Sequence, residues 1–229
     1  MTTISANLQA VHARIAAACA AAGRNPADVR LLAVSKTWPA ASVSEAAACG
    51  ERAFGESYAQ EAAAKIDALA GLDAEWHFIG PLQSNKTRPV AERFAWVHSI
   101  DRMKIAERLS AQRPAGMAPL QACIEVNVSG EDSKSGCAPA DVLELARRVA
   151  ALPNISLRGL MAIPEPGRES VRSRFAQLRQ LRDRINAECG LHLDTLSMGM
   201  SGDLEEAIAE GATIVRVGTA IFGTRPPAG

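Results

Sequence analysis

Two periodicities alternate along this chain. Residues 3–22 carry Leu8, Val11, Ile15 and Ala18 at helical spacing on an alanine-rich background, with Gly23 as the stop. An apolar run of strand length, 31–35, follows and ends in Lys36-Thr37-Trp38-Pro39. Helical spacing then predicts helices over 40–49, 58–69, 83–94, 101–113, 141–152 and 202–210, and a longer one marked by Val171, Phe175, Leu178 and Ile185 that ends near Gly190. Asp101 reads as a helix N-cap, and Pro89 is expected to bend or restart the helix that contains it. Between the helices, short apolar runs predict strands over 52–55, 75–79, 96–100, 120–128, 157–162, 195–198 and 213–217, and Gly218-Thr219 opens a last short helix.

Strands that are each followed by a helix or helical turn imply a parallel sheet with right-handed crossovers. Eight such units in roughly 200 residues point to a closed (β/α)8 barrel, an α/β fold, with one extra helix in front. An open doubly wound sheet is the alternative, because periodicity does not report closure. No G-x-G-x-x-G follows the first strand, which counts against a dinucleotide domain. No linker-like break in composition occurs, so residues 1–229 read as one domain.

Composition narrows the function classes. Hydrophobic residues make up 48% and charged residues 22%, ordinary for a soluble globular chain. Lys+Arg and Asp+Glu both number 25, so no overall charge draws nucleic acid or an anionic membrane. No apolar run has the length of a membrane span and no basic-then-apolar leader opens the chain, so a cytoplasmic protein is expected. Cys19, Cys49, Cys123, Cys137 and Cys189 form no CxxC pair and are expected to be free thiols, without an activating His beside any of them. His98 and His192 lack companion ligands in sequence, so no metal site is expected.

In a barrel of this kind, function gathers at the C-terminal ends of the strands. That rim collects Lys36, Gly55-Glu56-Ser57-Tyr58, His77 through Gly80, Asn127, Met161 through Pro164, Ser197 through Asp203 and Arg216 through Ala220. A lysine leaving a strand buried on both faces must reach a polar pocket, pair, or lose its proton. Desolvated in this way it becomes a nucleophile and Schiff-base former; the plainer alternative is a strand-end lysine that snorkels to solvent. Ser201-Gly202 and Gly218-Thr219 each open a helix, and together they offer a phosphate close backbone approach, hydroxyl donors and helix N–H groups. Tight βα turns and an N-cap serine would use the same residues. A phosphate cradle with a Schiff-base lysine leaves two ligand classes: a phosphorylated carbonyl sugar, as in class I aldolases, or pyridoxal 5′-phosphate (PLP). The sixth strand, where barrel aldolases resemble one another, contains no lysine.

Several long segments then occur in one order: Ala-Val-Ser-Lys-Thr around Lys36, Phe-Gly-Glu-Ser-Tyr, Trp-His-Phe-Ile-Gly-Pro-Leu-Gln-Ser-Asn-Lys, Ile-Glu-Val-Asn-Val, Ser-Lys-Ser-Gly, Arg-Gly-Leu-Met-Ala-Ile-Pro, Leu-Ser-Met-Gly-Met-Ser and Val-Arg-Val-Gly-Thr-Ala-Ile-Phe-Gly. With them the sequence closely resembles the pyridoxal phosphate homeostasis proteins, from about Leu31 to Gly223. The resemblance implies a single alanine-racemase-like TIM barrel of PLP fold type III, without the racemases' C-terminal β-domain. It implies a PLP-binding protein of vitamin B6 homeostasis with no established catalytic turnover and no catalytic residue. Lys36 would hold PLP as an internal aldimine. Ser201, Gly218 and Thr219 would hold its phosphate, with backbone help from Met200 and Gly202, and Arg216 would face the pyridine nitrogen. Asn127, His77 and Met198 would line the cofactor face. Apo PLP-dependent enzymes would be the recipients, and the protein would be a monomer without nucleic-acid or membrane partners. Ser57 stands where the family usually has Asn, so its contact is expected to be shorter or bridged by water.

Arg216 stays protonated, so it would donate to the ring nitrogen and keep it unprotonated, which weakens carbanion stabilisation. The related racemases share that arginine but add a tyrosine base from a further domain. This chain ends at Gly229 soon after its last strand, and its one tyrosine, Tyr58, reads as a rim residue. A carrier of the cofactor is therefore expected, with a weak amino-acid racemase as the alternative. Ser133-Lys134-Ser135-Gly136 reads as a solvated loop, with a second lysine near the site or a secondary cofactor dock as its other use. Arg168, Arg172, Arg174, Arg179, Arg182 and Arg184 read as a solvated outer helix face more than as an RNA or partner surface.

Overall fold

The computed structural model describes residues 3–130, 135–165 and 168–224, the side chains of 168–170 excepted. Its elements are α1 Ile4–Ala21, β1 Arg30–Val34, α2 Ala40–Ala48, β2 Ala53–Glu56, α3 Ala59–Ala68, β3 Glu75–Phe78, α4 Thr87–Arg93, β4 Trp96–Ile100, α5 Met103–Gln112, β5 Leu120–Glu125, α6 Val142–Ala150, β6 Ile155–Met161, α7 Arg168–Cys189, β7 Thr195–Ser197, α8 Leu204–Ala209, β8 Ile214–Val217 and α9 Thr219–Phe222. Each strand pairs in parallel with the next, and β8 returns to β1, so the sheet closes into a barrel in sequence order. The open-sheet alternative is thereby set aside.

The strands are buried on both faces, and their alternation splits their side chains between two cores. The main core fills the space between sheet and helices, with Phe54, Phe78, Ile105, Phe175 and Leu196 among its buried members. A smaller cluster, Leu32, Val34, Ala53, Ile79, Trp96, Cys123, Met161 and Ile214, fills the barrel interior. Closure sets the site: Ala33 stands opposite Val217 in β8 and Val34 opposite Gly55 in β2, so the turn after β1 lies beside the turn after β8.

Several boundaries differ from the sequence expectations for physical reasons. The helix expected over 83–94 is split: Ser84–Lys86 is a 3-10 turn and α4 starts at Thr87. Pro89 falls in the first turn of α4, where its missing N–H leaves no bond unmade. Asp101 is not the N-cap of α5; Arg102 holds that position and its Nη1 pairs with the Asp101 carboxylate. The strand expected over 120–128 ends at Glu125: the Val126 N–H still donates to the Met161 carbonyl of β6, but from there the chain turns to pair with Cys137, whose carbonyl accepts the Asn127 N–H. The helix expected from 202 starts at Leu204, so Ser201-Gly202 form a turn ahead of it. All five cysteines are free thiols. On α7, Arg172 and Arg179 pair with Glu210 at the end of α8, Arg182 with Asp183 and Arg184 with Glu188, so much of its basic face is neutralised by acids of α7 and α8.

Candidate functional site

At the C-terminal ends of β1 and β8 a cavity of about 230 Å³ opens. Val34, Ile79 and Ile163 form its apolar wall, Lys36 and Arg216 its cationic groups, and Met200, Ser201, Gly202, Gly218 and Thr219 its remaining lining. A recess of about 30 Å³ adjoins it beside Lys36, Gly218 and Thr219, bounded by Trp38 and Gly223. Seven of the residues expected to hold a cofactor therefore line one space.

Lys36 is set by the residues on either side of it. Ser35 is fully buried; its hydroxyl donates to Glu56 Oε1 at 2.6 Å and its carbonyl accepts from Lys65 Nζ at 2.8 Å. Thr37 has φ +68°, a left-handed conformation costly for a β-branched residue, and its N–H donates to Glu61 Oε1 at 2.7 Å. Lys65, also buried, closes the arrangement with ion pairs to Glu56 at 2.6 Å and Glu61 at 3.1 Å. Burial pushes the Glu56 carboxyl above the usual carboxylate range, against the pull of Lys65, and its Oε2 has no partner. The turn that carries Lys36 is thus pinned from β2 and α3.

Arg216 is buried at the end of β8. Its Nη1 donates to the Ser197 carbonyl at 2.6 Å and to Ser197 Oγ at 2.9 Å, and its Nη2 to the Ala162 carbonyl at 2.9 Å. Burial lowers its pKa to about 10, partly opposed by Glu125 and Asp203, so it remains a cation at neutral pH. Burial likewise raises Glu125 to about 7.

The oxygen- and amide-bearing turns are held from outside the barrel. Gly199, at φ +92°, lets the chain reverse after β7, and Asp203 Oδ1 accepts the Met200 N–H at 2.6 Å. Arg14 reaches from α1 to donate to the Ser201 carbonyl through both Nη atoms at 3.1 Å, while its Nε meets Glu205 at 2.9 Å. Asn7 Nδ2 donates to the Ile221 carbonyl at 2.7 Å, and the Ala220 N–H reaches Ser201 Oγ at 3.4 Å. A Cβ on Gly218 would stand 3.1 Å from the Val34 carbonyl, a tight contact that a larger residue could make only if β1 gave way by a few tenths of an ångström.

Three expected residues lie elsewhere. Ile79, not His77, reaches the cavity: side chains on one face recur every second residue, so His77 lies one layer deeper, fully buried and bonded to His98 and Glu75. Met198 has the opposite parity to Ser197 and packs in the main core. Asn127 stands beyond the end of β5, outside the lining, and its Oδ1 accepts the Gly130 N–H. Ser57 and the half-exposed Tyr58 line a separate cavity of about 240 Å³ with Gln83 and Lys86. Ser133 and Lys134 lie outside the described residues. A wider groove of about 610 Å³ runs along α1 and α8, but its floor is alanine and its Arg14 and Glu205 are paired to each other. Sequence reading missed the Lys65–Glu56–Glu61 clamp; a lysine at helical spacing from Glu61 was its only local sign.

A lysine amine, a buried cation and a turn of hydroxyls and glycines around one small space suit a ligand with a carbonyl, a ring acceptor and an oxyanion. The family model for the alanine racemase N-terminal domain matches residues 6–226. A pyridoxal phosphate homeostasis protein of Pseudomonas aeruginosa is 63% identical over 98% of this chain and 97% of the relative. One from Escherichia coli is 52% identical over 98% of each. The structure of PipY from Synechococcus elongatus with PLP bound superposes with a TM-score of 0.84 at 37% identity, over 96% of this chain and all of that one.

Proposed function

This chain belongs to the pyridoxal phosphate homeostasis proteins, and we propose that it binds PLP in the cavity at Lys36 and keeps it available to other proteins, without turning over a substrate of its own. The observation that carries this is the convergence of Lys36, Arg216 and the Ser201 and Gly218-Thr219 turns on one cavity of about 230 Å³. That space is below the roughly 300–1,000 Å³ of drug-sized pockets and suits a single aromatic ring with its substituents.

PLP supplies an aldehyde that condenses with a lysine amine and a pyridine ring that draws electrons. In this cavity Lys36 would hold it covalently as a Schiff base. Ser201 Oγ, Thr219 Oγ1 and the backbone of Met200, Gly202 and Gly218 would receive the phosphate. Arg216, a cation fixed by Ser197 and Ala162, would donate to the ring nitrogen. Val34, Ile79 and Ile163 would exclude water from the ring. The donor set fits the group at each end.

The non-catalytic part of the reading draws support from two facts. The relatives carry the name homeostasis protein. Tyr58, the one tyrosine, is half-exposed and lines a different cavity, so among the described lining residues no tyrosine stands as a second base opposite Lys36. Loaded protein mixed with an apo PLP-dependent enzyme should restore that enzyme's activity at a rate set by release from Lys36, while free L-alanine keeps its optical rotation. Racemisation at enzyme-like turnover, lost in Lys36→Ala, would overturn the reading.

A further inference from the structure

The barrel interior holds a hydrogen-bond chain between Arg216 and the opposite, N-terminal end of the strands. Arg216 Nη1 donates to Ser197 Oγ at 2.9 Å. Ser197 Oγ lies 2.8 Å from His98 Nδ1, and His98 Nε2 lies 2.9 Å from His77 Nδ1. His77 Nε2 lies 2.8 Å from Glu75 Oε1, and Glu75 is paired with Arg30 at the half-exposed foot of the barrel. Ser197, His98 and His77 are fully buried.

Chemistry gives this chain one direction. Burial keeps both imidazoles neutral, His98 most strongly, so each ring has a single N–H. The Glu75 carboxyl, held below its usual range chiefly by the hydrogen bond with His77, is an anion that only accepts. The His77 proton must therefore sit on Nε2, which leaves Nδ1 bare. His98 must then donate from Nε2, and its bare Nδ1 accepts the Ser197 hydroxyl proton. The lone pairs of Ser197 Oγ remain for Arg216. The opposite order would set a bare His77 Nε2 against the carboxylate with no proton between them. The charged groups facing this chain are Arg30 and Arg216 at its two ends, and Arg158, which lies 5.5 Å over the Trp96 ring that stacks on His77. Cys123, whose thiol burial raises to about 12, adds no charge.

We propose that Glu75, His77, His98 and Ser197 are positioning residues that lock Arg216 as a donor toward the ring nitrogen of the bound cofactor. The inference rests on Arg216 facing that nitrogen. Both Nη1 protons are taken by Ser197 and one Nη2 proton by Ala162, so only Nε–H and the second Nη2 proton remain for the cavity. The guanidinium cannot turn without breaking a bond that the chain supports. Glu75, outside the cavity, selects the direction.

Nitrogen-15 NMR on the cofactor-free protein tests the chain alone: His77 and His98 should both show the Nε2–H tautomer and take up a proton only below the ordinary imidazole pKa. An Nδ1–H on either ring, or titration near pH 6.5, would overturn the proposal. With PLP added, Ser197→Ala, which keeps the carbonyl acceptor, should lower cofactor affinity about tenfold and shift the cofactor's absorption band, as loss of one bond to a charged group implies. His98→Phe should do at least as much, and Glu75→Gln should mix the His77 tautomers. Unchanged affinity and band in folded Ser197→Ala would also overturn it. If instead Lys36→Ala binds PLP like wild type, the cavity reading fails while the tautomer result stands or falls by itself.

Discussion

Lys36 owes its place to Ser35 and Thr37, which Glu56, Glu61 and Lys65 grip from below and beside the turn. Lys65→Met would leave Glu56 buried without its cation, a change that costs roughly 3–5 kcal/mol in comparable pairs, moderated here because Glu56 can take up a proton. Urea unfolding should show that loss, and PLP affinity should fall with it as the Lys36 turn loosens. Glu125 offers a separate test through pH. Its folded pKa, about 7, lies above the roughly 4.3 of an unfolded glutamate, so the folded state holds the extra proton between those values. Stability on this account is greatest below pH 4.3 and declines as pH rises toward 7. Glu125→Gln should remove that decline, so the difference in melting temperature between variant and wild type should grow in the variant's favour from pH 5 to pH 8. These residues show where sequence reading ends. Lys36, Ser201, Gly218 and Thr219 stood out because strand ends and glycine turns mark themselves locally. His77 was misplaced by one pleat, since the rim position depends on where β3 stops, and that depends on its pairing with β2 and β4.

The first helix was legible from Leu8, Val11 and Ile15, whose buried face packs in the main core. Its task was not, because Arg14 and Asn7 act across long stretches of chain on Ser201 and Ile221. α1 thereby grips the Ser201 turn directly and the short helix α9 that follows Gly218 from outside. Arg14→Ala should weaken binding of PLP and of inorganic phosphate by about tenfold, the worth of a hydrogen bond from a charged donor, while leaving the rest of the barrel folded. Calorimetric titration of both ligands checks this; equal affinities for variant and wild type would show that the Ser201 turn holds itself. The turn after β1 obeys the same logic from α3, so two outer helices position chemistry that the strands deliver.

Barrel closure was readable because eight apolar runs alternate with helices, and closure then puts the ends of β1 and β8 side by side. What lies inside the barrel was not readable. Ser197 and His98 are 99 residues apart in sequence, and only the register of the closed sheet brings them into contact. The interior is correspondingly unusual, with a polar chain threading an apolar cluster of Leu32, Trp96, Cys123 and Met161. A wholly apolar filling would pack such a barrel as well, so the polar chain marks a demand made by Arg216 at its upper end.

The proposed function depends most on where the cofactor is attached. Borohydride reduction of PLP-loaded protein, followed by proteolysis and mass spectrometry of the lysine peptides, locates the link directly. The pyridoxyl mass should appear on Lys36, at close to one per chain, and vanish in Lys36→Ala. Equal labelling of Lys86, Lys104 and Lys134, or undiminished labelling of the variant, would contradict it.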